Sequence, residues 1–511
     1  MAKRFLLVVV LLAVTANLAV AQDARAVVQA ASAAMGVANL KSIQYTANGG
    51  WFGAFGQSFA PGENWPRTDI VTYTRTIDYD AKTSREEYTR RQGNNPARGG
   101  GFVPIQGEPR TISIVNGNYA WNMDGEKINP APAAAEVRQL EIWLTPPGFL
   151  KAALAATDLT AINRTETEDT NNTTKKVTAI TFTYGKFKMM GQINAANELE
   201  GVQTRVPDPV LGDMLYEVRY TVYKDFGGVK YPTVMHYHNG NRYLDFGHDL
   251  MEIRVNDVKP NFAAPALAVP DAVRTATIPP VRVVTQKLAD GVWLIGGGSH
   301  NSVAVEFKDF VAVVEAPLNE ARSIAVIDEV TKLVPNKNIR YVVNTHHHFD
   351  HSGGLRTYLA QGAVVLTHKA NKDFYERVAF YPVPRYLQPD RFSTYYMRTA
   401  NGAPPMIETV DQKYVLSDGK RTMELHPVAN LNHAATMLLA YLPTEKILIN
   451  ADLYTPAAQG QPAPALTPNM TVLSRNIQRL KLDVAQHVAI HGGVGTHADF
   501  LKIVGTGSSN N

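Results

Sequence analysis

The stretch Asn344-Thr-His-His-His-Phe-Asp-His-Ser-Gly-Gly354 decides the fold class of the second half of this chain. It contains the pattern His346-x-His348-x-Asp350-His351 and directly follows a predicted buried strand. Alternate residues of an extended segment project to the same side, so a loop leaving a strand end can aim His346 and His348 together. Asp350 and His351 follow the bend of this loop, so we expect them to face a second metal position. Imidazole and carboxylate ligands suit zinc, with iron or manganese as alternatives, so the pattern predicts a metal site.

The composition limits the chemistry that this chain can perform. Its 511 residues are 45% hydrophobic and 19% charged, which indicates a folded protein with two or three domains. It has no cysteine, so disulfides, thiolate metal ligands and a cysteine nucleophile are excluded. A net charge of +4 is too small to argue for nucleic acid, and we expect no nucleic-acid partner.

The first 21 residues are typical of a secretory signal peptide. Lys3 and Arg4 form a basic start, Phe5 to Val14 is apolar, and Ala19-Val20-Ala21 offers a cleavage site. The apolar run is shorter than the roughly 20 residues that a membrane-spanning helix needs. We therefore expect an exported protein, periplasmic or secreted, with no stable membrane insertion after the signal peptide is removed.

The remaining chain divides into segments of different character. Residues 22–258 are rich in strand and hairpin signals, such as Asn116-Gly117 between two alternating segments. Residues 259–280 are predicted to be a stiff linker, because prolines at such spacing sustain neither a helix nor a central strand. Residues 281–504 alternate strands and helices, which is typical of a layered domain. Residues 505–511 are predicted to be a flexible tail.

From about Val281 to Val504 the chain resembles the metallo-β-lactamase superfamily. The resemblance implies an αββα metallo-β-lactamase sandwich with metals at one edge. Together with the curved antiparallel sheet expected for residues 22–258, this predicts an α+β two-domain chain. It also implies three further ligands. These are His433, preferred over His426 and preceding the strand Met437–Leu442; Asp452, after the strand Lys446–Asn450; and His491, in the turn His491-Gly492-Gly493.

By this resemblance the ligands form two sets. One metal would be bound by His346, His348 and His433, the other by Asp350, His351 and His491, with Asp452 between them. The implied cofactor is two zinc ions per chain. A metal-bound hydroxide would attack an ester, lactone, thioester or amide, while Asp350, the predicted catalytic residue, orients it. The chain departs from the family's glycine–histidine–threonine at Asn432-His433-Ala434, which weakens the comparison of that loop.

The predicted partner is a small molecule of unknown identity. The aromatic, proline-rich stretch Phe374–Tyr396 favours either a lid over a hydrophobic substrate or a packed excursion. Residues 40–262 resemble the LolA-type lipoprotein carriers in two short strings, Tyr223–Pro232 and Val255–Phe262. Two alternatives to a general hydrolase therefore stay open: a lipid or lipoprotein carrier whose second domain is not catalytic, and a true β-lactamase.

Overall fold

The computed structural model describes residues 24–52, 67–94, 105–167, 174–240, 248–380, 385–398, 406–458 and 460–506. The predicted signal peptide lies outside these ranges, as do residues 507–511 of the predicted tail. The last helix runs on to Thr506, so residues 505 and 506 are helical. Within the described ranges no helix is both long and apolar enough to cross a membrane.

The first half of the chain is one large antiparallel sheet. Among the described residues it contains thirteen strands, in the order β6-β5-β4-β3-β2-β1-β13-β12-β11-β10-β9-β8-β7. The strands are β1 Ser42–Trp51, β2 Thr68–Asp78, β3 Thr83–Gln92, β4 Arg110–Asn116, β5 Tyr119–Asp124, β6 Lys127–Pro130, β7 Thr160–Thr167, β8 Thr174–Tyr184, β9 Phe187–Asn194, β10 Leu199–Asp208, β11 Gly212–Phe226, β12 Val229–Asn239 and β13 His248–Pro260.

One face of this sheet is apolar, as the alternating sequence predicts. In β11, Met214, Tyr216, Val218 and Tyr220 are buried and their neighbours are more exposed. They pack in one core with helices α1 (24–34), α2 (Ala135–Trp143) and α3 (Pro146–Ala155). The large antiparallel sheet is therefore confirmed, and its curvature stays a prediction.

The predicted linker, residues 259–280, contacts the large sheet of the first half. Strand β13 runs to Pro260, and Asn261 stays hydrogen-bonded to Lys41 and Ser42 at the start of β1. A one-turn helix, α4 (Asp271–Arg274), begins after Pro270, where proline is compatible with a helix start. Its Val273 is buried against β4 and β5. The proline-rich segment therefore packs on the first sheet.

Two further sheets lie in the second half. The first has seven described strands: β14 Val284–Ala289, β15 Val292–Gly296, β16 Ser302–Glu306, β17 Val311–Val314, β18 Ile339–Val343, β19 Val364–His368 and β20 Ile407–Val410. The second has six: β21 Tyr414–Ser417, β22 Thr422–Pro427, β23 Leu438–Leu442, β24 Ile447–Asn450, β25 Gln486–Ala489 and β26 Val494–Thr496.

Short helices connect these strands. They are α5 Glu320–Leu333, α6 Phe349–Ser352, α7 Leu355–Leu359, α8 Lys372–Phe374, α9 Arg391–Arg398, α10 Pro468–Leu480 and α11 His497–Thr506. A π-helical turn spans Tyr375–Ala379, and a 3-10 turn spans Lys369–Asn371. In the first half, a 3-10 turn spans Pro132–Ala134 between β6 and α2.

The seven-stranded sheet is buried on both faces. In β17 the four residues Val311–Val314 are all buried, which is typical of a strand covered on each side. Ala312 and Val314 pack in one core with strands of the six-stranded sheet and with α10 and α11. Val311 and Val313 pack in another core with α5 and α7. The chain is therefore mostly β with two domain-like halves, and a stacked αββα order stays a prediction.

A turn of the first sheet contacts the second half. It joins β10 to β11, and Val210 at its tip is buried in the core that contains α5 and α7. Arg385 donates hydrogen bonds to the carbonyls of Pro209 at 2.9 Å and Val210 at 2.8 Å. The backbone N–H of Tyr386 donates to Asp213 at 2.8 Å. The large sheet is thus attached to the second half close to α6 and α7.

Candidate metal centre

The loop from Asn344 to His348 leaves the end of β18 and leads into α6. The Asn344 side chain fixes its course, because it donates to the His346 carbonyl at 2.6 Å. The Asn344 Oδ1 atom accepts from the Thr367 hydroxyl at 3.0 Å and the Tyr375 hydroxyl at 2.7 Å. These hydrogen bonds hold the backbone of the loop in place, so the positions of His346 and His348 are fixed.

The structure brings four predicted ligands into a first group: His346, His348, His433 and Asp452. Each offers one ligand atom, and these atoms lie within 4.8 Å of one another. His433 Nε2 is 2.8 Å from Asp452 Oδ2, and His346 Nε2 is 3.2 Å from the same oxygen. The competing residue His426 lies elsewhere on β22, 2.9 Å from Glu424.

A second group contains the other three predicted ligands, Asp350, His351 and His491, together with His300. His351 Nε2 is 3.1 Å from His491 Nε2 and 3.6 Å from Asp350 Oδ2. The Asp350 side chain is 41% exposed and that of His491 is 31% exposed, whereas His351 is fully buried. Asp350 and His491 therefore mark the open side of the centre.

Asp452 lies between the two groups. Its Oδ1 atom is 2.9 Å from His491 Nε2, and its Oδ2 atom is 3.2 Å from His351 Nε2, in addition to the contacts with His346 and His433. Its φ of +59° lies in the left-handed region, which aspartate tolerates better than most residues. The other six predicted residues thus lie in two groups on either side of the Asp452 carboxylate.

Glu315 is a buried residue beside the centre that the sequence analysis missed. It is fully buried at the end of β17, and its Oε2 atom accepts from Thr345 Oγ1 at 2.5 Å and lies 3.0 Å from His351 Nδ1. With His346 and His351 it forms a third group of ligand-type atoms. The available signal was a carboxylate directly after the apolar run Val311–Val314, where a charge is buried only with partners.

Burial and neighbouring charges shift the pKa values of these groups. Burial lowers the pKa of His346 and of His348 well below the ordinary value, and nearby histidines act in the same direction. Burial also opposes a charge on His351, but Asp452 and Glu315 raise its pKa well above the ordinary value. Burial opposes a charge on Asp350, but the neighbouring imidazoles of His300 and His351 outweigh it and lower the pKa.

The donor set fits a bound divalent cation. His346 Nε2 and His348 Nε2 are buried atoms without a hydrogen bond of suitable geometry. Leaving a buried polar atom unsatisfied costs about 1–3 kcal/mol, a cost that coordination would remove. Nδ1 of His346 instead lies 3.0 Å from Thr345 Oγ1, which fixes the ring with Nε2 toward the centre.

The other late histidines have different surroundings. His347 Nδ1 lies 2.9 Å from Thr436 Oγ1, and His368 Nδ1 accepts from the Ala370 backbone N–H at 3.2 Å. His487 Nε2 lies 2.9 Å from His497 Nδ1. None of these residues belongs to the groups of ligand-type atoms, although the His347 ring centroid is 4.8 Å from that of His348.

The described aromatic residues of the Phe374–Tyr396 stretch are mostly packed inside. Phe374, Tyr375, Phe380 and Phe392 are buried in the core with α5 and α7, whereas Tyr386 is 78% exposed. Residues 381–384 lie outside the described ranges. For the described residues, a packed excursion accounts for the aromatic content, and the substrate lid stays a prediction.

Residues 295–485 match the family model described as the metallo-beta-lactamase superfamily. This part of the chain is therefore a metallo-beta-lactamase superfamily domain, as the histidine pattern predicted. A comparison with curated proteins finds no match.

Similar solved structures are metallo-beta-lactamases. The protein from Pontibacter korlensis is 18% identical, with a TM-score of 0.32 over 45% of this chain and 100% of its own. FIM-1 from Pseudomonas aeruginosa, in its mono-zinc form, is 19% identical, with a TM-score of 0.32 over 45% of this chain and 97% of its own. DIM-1 is 13% identical, with the same TM-score over 45% of this chain and 99% of its own.

Proposed function

We propose that this protein is an exported, dizinc hydrolase of small molecules that contain an ester, lactone, thioester or amide bond. The observation that carries the proposal is the convergence of six residues around the Asp452 carboxylate, namely His346, His348, Asp350, His351, His433 and His491. Six donor groups of mixed imidazole and carboxylate type on either side of Asp452 suit zinc, with iron or manganese as weaker candidates. The superfamily of the domain is mostly hydrolytic.

Two bound cations would lower the pKa of a shared water and polarise the oxygen of the substrate. The protein itself would hold the metal-binding side chains in place. It would also leave the side of the centre at Asp350 and His491 open. Asp350 is the most exposed carboxylate of the centre, and its lowered pKa keeps it ionised near neutral pH. It can therefore accept a hydrogen bond from an attacking water and orient that water, which is the catalytic role that we assign to it.

The experiment is metal analysis and hydrolysis by the purified mature chain after zinc loading. We expect two zinc equivalents and turnover of at least one class in a panel of lactones, esters, thioesters, amides and β-lactams. Asp350→Asn should abolish most of the turnover. His426→Gln is the matched control, because it alters a buried histidine outside the ligand groups. Less than about one equivalent of bound zinc, or equal activity in Asp350→Asn, would refute the proposal.

Export is part of the proposal and rests on the basic, apolar and small-residue segments of residues 1–21. The full-length chain, expressed in a bacterium, should be recovered outside the cytoplasm with Gln22 as its first residue. N-terminal sequencing of the fractionated protein checks this. An intact Met1 in the recovered protein would contradict cleavage.

A carrier role is the second candidate, because the first half has a groove with a volume of about 600 Å³. The groove is lined partly by Tyr79, Trp143 and Tyr184, beside Lys82 and Lys151. Such a surface could accommodate an apolar chain with a polar end, since Asp80 lines the groove as well. Mass spectrometry of the purified full chain would detect a retained amphiphile. A protein that carries an amphiphile and has no zinc-dependent turnover would favour the carrier over the hydrolase.

A further inference from the structure

His300 lies among the ligands of the second group although the metal-binding pattern does not include it. It is 5% exposed, and its Nε2 atom is 3.3 Å from Asp350 Oδ2. Its ring centroid is 4.0 Å from that of His491 and 5.0 Å from that of His351. We propose that His300 is an additional protein ligand of the cation bound by Asp350, His351 and His491. This inference rests on the proposed function, because it assumes that the centre binds metal.

The loop that carries His300 is fixed by a buried arginine. Arg322 on α5 is 2% exposed and donates to the carbonyls of Ile295 at 2.9 Å, Gly296 at 3.0 Å and His300 at 3.2 Å. It also donates to the carbonyl of Arg282 at 3.2 Å. Burying a guanidinium is costly unless its N–H groups are satisfied. The Arg322 guanidinium therefore holds the backbone on both sides of the turn at residues 297–299.

The neighbouring residue Asn301 ties the same loop to the turn that carries His491. Its side chain donates to the carbonyls of Ala489 at 2.9 Å and Gly492 at 2.5 Å, and its backbone N–H donates to Ile490 at 2.8 Å. These three carbonyls flank His491. His300 and His491 are thus positioned against each other by one asparagine.

Both turns require glycine, which indicates a close and specific fit. Gly297 has a φ of +102°, and a Cβ atom there would lie 2.6 Å from the Arg282 carbonyl oxygen. Gly492 has a φ of +113°, and its Cβ would lie 2.5 Å from Thr455 Cγ2. Other residues disfavour this backbone region and would also clash.

The orientation of the His300 ring matches that of two predicted ligands. Nδ1 of His300 is 2.9 Å from the hydroxyl of the preceding residue, Ser299. His346 has the same arrangement with the preceding Thr345, at 3.0 Å, and Nδ1 of His351 contacts Glu315. In each case Nε2 is directed toward the other ligand atoms. Histidines that bind metal usually donate their second ring N–H to such a partner.

The alternative is that His300 only donates a hydrogen bond from Nε2 to Asp350. That distance, 3.3 Å, is longer than the roughly 2.7–2.9 Å of a charge-assisted hydrogen bond. If Nδ1 instead donates to Ser299, Nε2 carries a free electron pair, as a metal ligand must. The geometry therefore favours coordination over a role limited to orienting Asp350. A cation with this additional protein ligand also keeps fewer positions for water or substrate.

The test counts the histidines bound to cobalt(II) in the full-length mature protein. After loading with two equivalents, each coordinated histidine should give one exchangeable, paramagnetically shifted ring N–H signal in the proton NMR spectrum. We expect six signals from the wild type, one for each member of the set His300, His346, His348, His351, His433 and His491. We expect five from His300→Gln, with the affinity for the second cobalt about 10- to 100-fold weaker.

The control variant His426→Gln should retain six signals. Five signals from a wild-type protein that binds two cobalt equivalents would overturn the assignment of His300 and leave the proposed function intact. Failure to bind cobalt at all would overturn both. The wild-type count decides the matter even if His300→Gln does not fold.

Discussion

The buried carboxylate of Glu315 should control how tightly the centre binds zinc. Its Oε2 atom contacts both the Thr345 hydroxyl and His351 Nδ1, and its Oε1 atom accepts from the Thr345 backbone N–H at 3.4 Å. Glu315→Gln keeps the shape but supplies only one oxygen. If that oxygen occupies the Oε2 position, the new amide group faces the Thr345 N–H, so two donors oppose each other without water to satisfy them.

The expected magnitude follows from these contacts. Replacing a charged acceptor with a neutral one roughly halves the strength of the bond to His351. Loss of a partner that orients a metal ligand typically weakens metal binding by about 10- to 100-fold, which corresponds to about 1.4–2.7 kcal/mol. We therefore expect the zinc Kd of Glu315→Gln to rise within that range. Competition of the purified protein with a chromophoric chelator would measure the change.

Glu424→Gln is the matched control for this experiment. Glu424 also contacts a buried histidine, with 2.9 Å between its Oε2 atom and His426 Nε2, but it lies outside the ligand groups. Its substitution should leave the zinc Kd unchanged. If the folded Glu315→Gln protein bound zinc within twofold of the wild type, the assignment of Glu315 as the partner of His351 would be wrong.

Three further predictions concern the surroundings of the centre. Arg385→Met removes three hydrogen bonds to the turn at Pro209 and an ion pair with Asp390, and should lower the free energy of unfolding by about 1–3 kcal/mol, measured with urea. Tyr375→Phe removes the 2.7 Å hydrogen bond to Asn344 and should cost about 1–2 kcal/mol in the same assay, with weaker zinc binding by calorimetry. Burial lowers the pKa of His487 to about 3, so its neutral form is favoured in the folded state, and stability should fall as the pH drops from about 6.5 toward 3, by at most about 1.4 kcal/mol per pH unit. His487→Gln should show a shallower fall over that window, and equal slopes for variant and wild type would contradict the assignment.

The sequence was most informative where short-range patterns define the chemistry. The spacing of His346, His348, Asp350 and His351 after an apolar strand predicts both the site and its superfamily. His433, Asp452 and His491 could be chosen because their strand and turn contexts resemble those of the ligands in the metallo-β-lactamase superfamily. Local turn chemistry was similarly reliable, since Asn116-Gly117 connects β4 to β5 as predicted.

The features that were missed depend on contacts between distant residues. Glu315 and His300 are 36 and 51 positions before His351, and neither belongs to a local pattern; only the folded chain places them beside it. The pairing of β1 with β13, which makes the first half a single sheet, is also long-range. The packing of Val273 on β4 and β5 could not be inferred from a proline-rich composition.

The most direct test of the central claim is anomalous X-ray diffraction from crystals of the zinc-loaded mature protein, collected on both sides of the zinc absorption edge. Two zinc peaks are predicted, one among His346, His348 and His433 and the other among Asp350, His351 and His491, with Asp452 between them. A single peak, or peaks located away from these residues, would contradict a dizinc centre.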